Sequence, residues 1–568
     1  MTQAIRKTAP EPLAPVPFHI PQAFETTLDN GLKVILFEDD RLPLVSYRLA
    51  FLRGDINDPA DATGMTSAMA AMLTEGTLNY SSHELADRVE RLGASLSASS
   101  SDDFTLVAGS ALSLYRTEVL KLIAEIVFRP TFPESELDLY RRNTIESLKF
   151  QRSQPGFLAG ERTAKLIYGD HPYSIVSPSA DDIEKLDRES LRTFHAKSLS
   201  PNNAILVAIG DLNREEFLSE VNDEFGKWEP SEQTAADFGT PPVRSSRTLT
   251  IVDRPGSAQS NIVLANAAIK RTHPDYFSVL VMNQILGAGA SSRVFMNLRE
   301  EKGYTYGAYT RIDAKRLAGD FEATAEVRTA VTGESLKEFF YELNRIRTEK
   351  ASEDELSDAK NFLTGVFPIR AETQEGLTGL IVNQQLYGLP HDYLQTYRDN
   401  VNAVTVDDVL AAAEKYVRPD VMAMVIVGDA EEVLPQAREY SSEIEVFDTE
   451  GNPVDLAKYD RTDDAGTADA SGKWAVSLDF QGQSVPVTIT IEQDGETVSG
   501  TLDTMLGSGK FDGGRVTGSK IKATSSMDIQ GQSVEFAITA TVDGDTISGE
   551  INTPMVPAPL SFAGARES

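Results

Sequence analysis

Hydrolytic chemistry on a helix-borne metal needs two imidazoles one turn apart, and a carboxylate to take the proton from metal-bound water. This chain has six histidines, His19, His83, His171, His195, His273 and His391, and no two lie within two helical turns of each other. It has no cysteine, so thiolate metal sites and disulfides are excluded as well. His171 and His195 therefore read as packing or capping residues. Gly64–Thr77 reads as a buried helix, opened by Gly64 and closed by Gly76. Met65, Met69, Met72 and Leu73 form one apolar stripe along it. It carries no histidine.

Composition bounds the rest. At 568 residues the chain exceeds one domain, and roughly 100–200 residues per domain predicts three to five. With 41% hydrophobic and 24% charged residues it can bury sizeable cores. The formal net charge of -33, from 86 acids against 53 bases, argues against nucleic acid and anionic membranes as partners. It describes a solvated acidic surface and would favour basic peptides as ligands. No apolar run is long enough to span a membrane, and no secretory leader is visible in 1–21. The cytoplasm is the default compartment, with the periplasm left open.

The elements that would position a site fall into a repeated order. Residues 1–22 carry Pro10, Pro12, Pro15, Pro17 and Pro21 and read as an extended arm. A first domain occupies 23–228. It opens with a hairpin around Asp29-Asn30-Gly31 and a third strand at Val45–Phe51. After the Gly64 helix come a helix capped at Ser81-Ser82, strands around 94–101 and 104–112, and helical patterns at 114–127 and 134–154. The domain closes on a strand ending Ile209-Gly210-Asp211 and a helix from Arg214 to Phe225. A polar linker, 229–245, leads to a second domain, 246–447. It replays the order with strands at 247–252, 261–269, 306–313 and 320–327 and helices at 276–286, 333–348 and 352–366. Its strand ending Val427-Gly428-Asp429 puts Gly428 218 residues (428 − 210) after Gly210. A period of that size signals duplicated domains. Mixed strands and helices without strict alternation predict an α+β layer fold.

Residues 448–471 read as a tether, and 472–564 as a strand-only domain with its own repeat. Asp479-Phe480-Gln481-Gly482-Gln483-Ser484-Val485 returns as Asp528-Ile529-Gln530-Gly531-Gln532-Ser533-Val534, an offset of 49 (528 − 479). Asp494-Gly495 and Asp543-Gly544 mark hairpin turns, and closure into a small meander or barrel would remove exposed edges. Trp474 is expected to plug one end of it.

Several short motifs are specific in their order and spacing. The first half has Leu28-Asp29-Asn30-Gly31-Leu32, the Gly64–Thr77 helix, Gly93–Asp102, Tyr173 in His171-Pro172-Tyr173, Pro201-Asn202-Asn203, and Gly210-Asp211. The second has Asn283–Gly287, Ser291–Phe295, and Leu298-Arg299-Glu300-Glu301-Lys302-Gly303-Tyr304-Thr305-Tyr306. Together, residues 24 to 447 resemble two tandem domains of the pitrilysin/insulinase zinc metallopeptidases, the inverzincins, close to the bacterial branch related to mitochondrial processing peptidase. The Gly93–Asp102 segment resembles that family's edge strand. The resemblance does not extend to the C-terminal strand-rich domain. It implies an α+β protein with two α/β metallopeptidase-like domains forming half of a clam-shell.

The same resemblance implies what is missing. In the family, H-x-x-E-H occupies the middle of the glycine-opened helix. Here Ser67 and Ala71 hold the histidine places and Ala70 the glutamate place. The family's third ligand, a glutamate, falls on Glu146 when counted from Ala71, and one carboxylate alone does not hold zinc usefully. Glu146 then reads as an ordinary helix-surface or ion-paired residue. The family's second domain supplies an arginine and a tyrosine in L-R-x-x-x-G-x-x-Y, which hold the peptide backbone. Arg299 and Tyr306, with Gly303 between them, match. Both can donate hydrogen bonds to a carbonyl as it becomes an oxyanion. The competing reading makes them a surface arginine and a strand tyrosine that support the fold. Arg293 shares this ambiguity and reads better as a brace of its loop. The resemblance thus implies a non-zinc subunit with no cofactor of its own, a homologous partner subunit that carries the zinc, and a peptide or unfolded polypeptide substrate. The alternative is a non-catalytic scaffold or peptide-binding protein that keeps the peptidase fold.

Overall fold

The structure is a computed structural model that describes residue 20 and residues 23–231, 237–459, 468–480, 483–504, 507–529, 532–553 and 556–567. The expected arm, 1–22, lies almost wholly outside the described residues. The chain forms two compact units, Met1–Tyr459 and Asp460–Ser568.

The first unit holds two sheets. Strands β1 (Phe24–Thr27), β2 (Lys33–Glu38), β3 (Leu44–Phe51), β4 (Ser95–Ser100), β5 (Thr105–Leu112) and β6 (Ala204–Gly210) assemble in the order β1-β2-β6-β3-β5-β4. Strands β7 (Thr248–Asp253), β8 (Gln259–Ala267), β9 (Thr305–Ala314), β10 (Gly319–Arg328), β11 (Ala423–Gly428), β12 (Glu443–Phe447) and β13 (Pro453–Val454) assemble as β13-β12-β7-β11-β8-β10-β9. In each sheet the strand ending in the repeated glycine pairs parallel to one neighbour and antiparallel to the other. Gly210 lies opposite Glu38 in β2, and Gly428 opposite Asp253 in β7. The duplication seen at Gly210 and Gly428 is therefore a duplication of topology.

Strands β6 and β11 are buried at every residue. A strand can be apolar on both faces only if both faces are covered. One face of each sheet meets helices of its own domain, and the other is covered by a helix lent by the other domain. Leu158, Ala159, Ile167 and Tyr168 of helix Pro155–Tyr168 pack on Val263, Ala265, Ala423, Val425 and Val427 of the second sheet. Reciprocally, Leu377, Ile381, Val382 and Leu386 of helix Gln374–Leu386 pack on Ile35, Ala50, Ile205, Val207 and Ile209 of the first. Each fully buried aliphatic side chain contributes about 1.5–3 kcal/mol, so the exchange is a substantial part of what holds the domains together.

The second domain also runs further than the sequence suggests. The tether is expected from 448, yet Pro453–Val454 pairs with Val446–Phe447, and Tyr459 is buried with its hydroxyl donating to Asp253 Oδ2 at 2.5 Å. The segment looks polar because it adds an edge strand, whose outer side faces water. Of the remaining tether, 460–467 lies outside the described residues.

The second unit is a closed eight-stranded meander: β14 (Gly472–Phe480), β15 (Gln483–Asp494), β16 (Thr497–Thr504), β17 (Gly507–Thr517), β18 (Lys520–Ile529), β19 (Gln532–Asp543), β20 (Thr546–Thr553) and β21 (Val556–Arg566). Strand β14 pairs with β21 and closes the ring. Trp474 is fully buried, donates from Nε1 to Ala470 O at 2.9 Å, and carries the Arg566 guanidinium over its ring at 4.5 Å. With its own closed ladder and core, this unit should unfold cooperatively as a fragment of residues 468–567, with a shift in Trp474 fluorescence. A broad transition without a cooperative midpoint would contradict it.

Candidate functional site

Helix Met65–Met72 begins at Gly64, whose φ of 89° is left-handed and whose Cβ, if present, would press on Pro178 and Ile183. Asp58 caps it, accepting from the Gly64 N–H at 2.7 Å, the Thr66 N–H at 2.8 Å and the Thr66 hydroxyl at 2.6 Å. The two expected histidine places, Ser67 and Ala71, and the expected glutamate place, Ala70, all lie on this helix. Ala70 is fully buried and Ala71 half-buried, and both present only methyl groups. The Ser67 hydroxyl is committed to a polar cluster, 3.2 Å from Asp55 Oδ1 and 2.9 Å from Ser100 Oγ, while Ser100 donates to Asp55 at 2.6 Å. Burial pushes the Asp55 carboxyl up to about 6, with the nearby Asp58 adding to the shift and the two serine hydroxyls opposing it.

These residues do not fit zinc. Two methyl groups and a hydroxyl turned toward a carboxylate offer no imidazole and no free base. Among the described residues, no group of three or more His, Cys, Asp or Glu could hold a metal ion. Glu146 lies on helix Glu134–Arg152 with its side chain 71% exposed, accepting from Lys149 Nζ at 2.7 Å. It joins the Ser67 cluster by no hydrogen bond. From that helix it is Tyr140 that feels Asp55 and Asp58: burial raises its pKa first, and their charges raise it further. Sequence reasoning misses Asp55, Ser100 and Tyr140. The acidic run Asp55-Ile56-Asn57-Asp58 just before the helix is the available signal; a serine in a serine-rich strand gives none.

The second-domain pair is placed differently. Arg299 sits in a π-helical turn, Met296–Glu301, a geometry frequent at functional sites. Its guanidinium stands 5.2 Å from the Phe295 ring and pairs with Glu300, and the side chain remains 43% exposed. Gly303, with φ of 65°, turns the chain into β9, the edge strand of its sheet. Tyr306, near the start of that strand, is 94% exposed, and its hydroxyl has no partner among the described residues. Arg293 is a brace: it makes a two-point pair with Glu355, Nε to Oε1 at 2.7 Å and Nη2 to Oε2 at 3.0 Å. Glu355 also closes the capping box of helix Glu353–Glu372 with Ser352, and Arg293 holds its carboxyl down at about 2. That pair anchors the turn leading to Arg299.

His171 and His195 are structural. His171 Nδ1 accepts from the Tyr173 N–H at 3.1 Å, and His195 Nε2 lies 2.8 Å from Val127 O. Tyr173, the last residue of the His171-Pro172-Tyr173 motif, belongs to the seam between the domains. There the β4–β5 turn meets its duplicate, the β9–β10 turn. Lys315 pairs with Asp102 at 2.6 Å, the Arg316 N–H donates to Asp103, and Tyr173 donates to Asp103 at 2.6 Å. Beside them Tyr168 donates to the buried Asp320 at 2.5 Å.

Comparison with known proteins agrees with this architecture. Residues 33–170 match the family described as insulinase (peptidase family M16), and residues 185–363 match the peptidase M16 inactive domain. Together these span more than half of the 568 residues, and the chain belongs to peptidase family M16. It is 22% identical over 400 residues to the uncharacterized zinc protease YmxG of Bacillus subtilis, covering 69% of this chain and 95% of that protein. It is 23% identical over 386 residues to the non-peptidase homolog YmxG of Helicobacter pylori, covering 66% and 87%. The crystal structure of a peptidase M16 inactive domain from Pseudomonas fluorescens superposes with a TM-score of 0.67 at 29% identity, over 72% of this chain and 98% of that one. The fold is thus two M16-type domains and a closed C-terminal β-barrel. No described helix is long and apolar enough to cross a membrane.

Proposed function

We propose that this chain is the non-zinc subunit of a two-subunit M16 endopeptidase. The partner, a homologous subunit, carries the zinc and the water it activates. This chain supplies Arg299 and Tyr306, which bind the peptide backbone and donate to the oxyanion. The observation that carries the reading is Tyr306: a 94% exposed tyrosine with an unpartnered hydroxyl on an edge strand has no structural use in this chain. The substrate class is peptide or unfolded polypeptide. A second reading, a peptide-binding scaffold with no catalytic partner, is favoured by the name of the Helicobacter pylori relative, a non-peptidase homolog.

Alone, the purified chain should hold no stoichiometric zinc and cleave no peptide; mixed with an H-x-x-E-H homologue encoded beside it, it should raise that subunit's cleavage. Elemental analysis and a peptide-cleavage assay on the separate and mixed subunits check this. One tightly bound zinc per chain would end the subunit reading. Cleavage by the homologue that does not change on mixing would favour the scaffold.

A further inference from the structure

The second domain contains a cavity of 360 Å³ that the subunit role does not use. It is walled by the segment before helix Tyr276–Leu286, the far end of β9, and helices Glu353–Glu372, Gln374–Leu386 and Tyr393–Ala403. Its size falls in the roughly 300–1,000 Å³ range of small-molecule sites. Tyr306 and Asp313 stand at opposite ends of β9, seven residues apart (313 − 306), which is about 23 Å along a strand. The cavity is therefore separate from the Arg299–Tyr306 region, and its ligand is independent of the role proposed for that pair.

The feature that singles it out is Arg271. Its guanidinium lies 3.8 Å over the Tyr276 ring and 5.0 Å from the Tyr393 ring, and Nη2 donates to Tyr393 Oη at 2.5 Å. Among the described residues no carboxylate pairs with it, although the chain carries 86 acids against 53 bases. Arg370, also in the lining, likewise has no carboxylate partner among them. The lining's one acid, Asp313, lies 3.8 Å from Lys315 Nζ. The guanidinium lays one face on the Tyr276 ring and gives one Nη2 hydrogen to Tyr393, which leaves its other N–H groups for a planar anion. Burial pushes the Tyr387 and Tyr393 hydroxyls up to about 12, and Tyr397 upward as well, so the tyrosines stay neutral and do not repel an anion. Phe362 and Leu389 complete an apolar wall.

We propose that this cavity binds a carboxylate carried beside an aromatic ring, the chemistry of a peptide's C-terminal phenylalanine or tyrosine. Arg271 holds the carboxylate, and the tyrosines and Phe362 hold the ring. The probes are N-acetyl-L-phenylalanine, its amide, N-acetyl-L-alanine, and a pentapeptide ending in phenylalanine as free acid and as amide, each titrated calorimetrically into the full chain. Each free acid with an aromatic ring should bind saturably, with the amides and the alanine compound weaker by roughly tenfold or more, since a charge-assisted two-point contact or the ring contact is lost. If the single amino acid binds and the pentapeptide acid does not, the source is a free aromatic acid and the peptide assignment falls. Arg271→Gln should erase the difference between acid and amide. Asn383→Trp, which fills the lining without touching the arginine, should abolish binding at an unchanged melting temperature. Equal binding of acid and amide, no saturable binding, or an acid preference that survives in folded Arg271→Gln would each overturn the proposal.

Discussion

If the chain serves a zinc-bearing subunit as proposed, Arg299→Ala or Tyr306→Phe should lower turnover of the complex by about a hundredfold, on the order of 3 kcal/mol of barrier for one lost oxyanion donor. The share of the loss that comes from the oxyanion bond falls on kcat, because that charge exists only in the transition state, and the share that comes from backbone binding raises KM. Assembly and thermal stability stay near wild type. Among the described residues the Arg299 guanidinium interacts with the Phe295 ring and Glu300, with no partner from the domain core, and the Tyr306 hydroxyl bonds to nothing. Steady-state kinetics of each mixed complex, with its size checked by chromatography, makes the comparison. Mutants that assemble and turn over at the wild-type rate would leave both residues structural and favour the scaffold. Mutants that fail to assemble would place them in the subunit interface.

The second large effect is on stability. Asp320 is 4% exposed, its Oδ1 has no partner, and burial, reinforced by Glu322 and Asp313 and opposed by the Tyr168 hydrogen bond and then by Arg311, pushes its carboxyl up to about 7. An unfolded aspartate titrates near ~3.9. The folded state therefore keeps a proton that the unfolded state has lost between about pH 4 and 7, and stability falls as pH rises through that window. Asp320→Asn removes the ionisation, keeps an oxygen to accept from Tyr168, and should stabilise the chain by about 1–3 kcal/mol at pH 8 and hardly at all at pH 4. Urea midpoints of both proteins at the two pH values test it. A gain of equal size at both would mean that proton linkage is not the cause.

Much of the frame is legible from local chemistry. Asn30-Gly31 turns the first hairpin, Ser81 and Ser352 cap the helices expected after them, and the echo of Gly210 in Gly428 marks a real duplication. Helices Pro155–Tyr168, Ala180–Lys185, Arg188–Ser198, Gln374–Leu386, Tyr393–Ala403 and Val406–Tyr416 do not stand out in the sequence. Helix Gln374–Leu386 holds Gly376 and Gly379 and packs against more than one neighbour, so no single apolar stripe marks it. Helix Glu353–Glu372 is expected to end at 366, two residues before Pro368, but tertiary packing of Phe367 and Ala371 carries it through the proline. The vacancies at Ser67, Ala70 and Ala71 can be read from the sequence. What fills them cannot, because Asp55, Ser67 and Ser100 come from three separate elements brought together by the sheet.

The lending of helices Pro155–Tyr168 and Gln374–Leu386 across the two sheets bears on how such a chain arises. Each domain alone would leave an aliphatic sheet face bare, so neither is a complete folding unit. A half-length ancestor with this topology satisfies itself only by pairing with a second copy, each giving the other its helix across a two-fold axis. Joined head to tail, such a dimer becomes a single chain whose two copies can diverge in their own residues while each is still needed to cover the other's sheet.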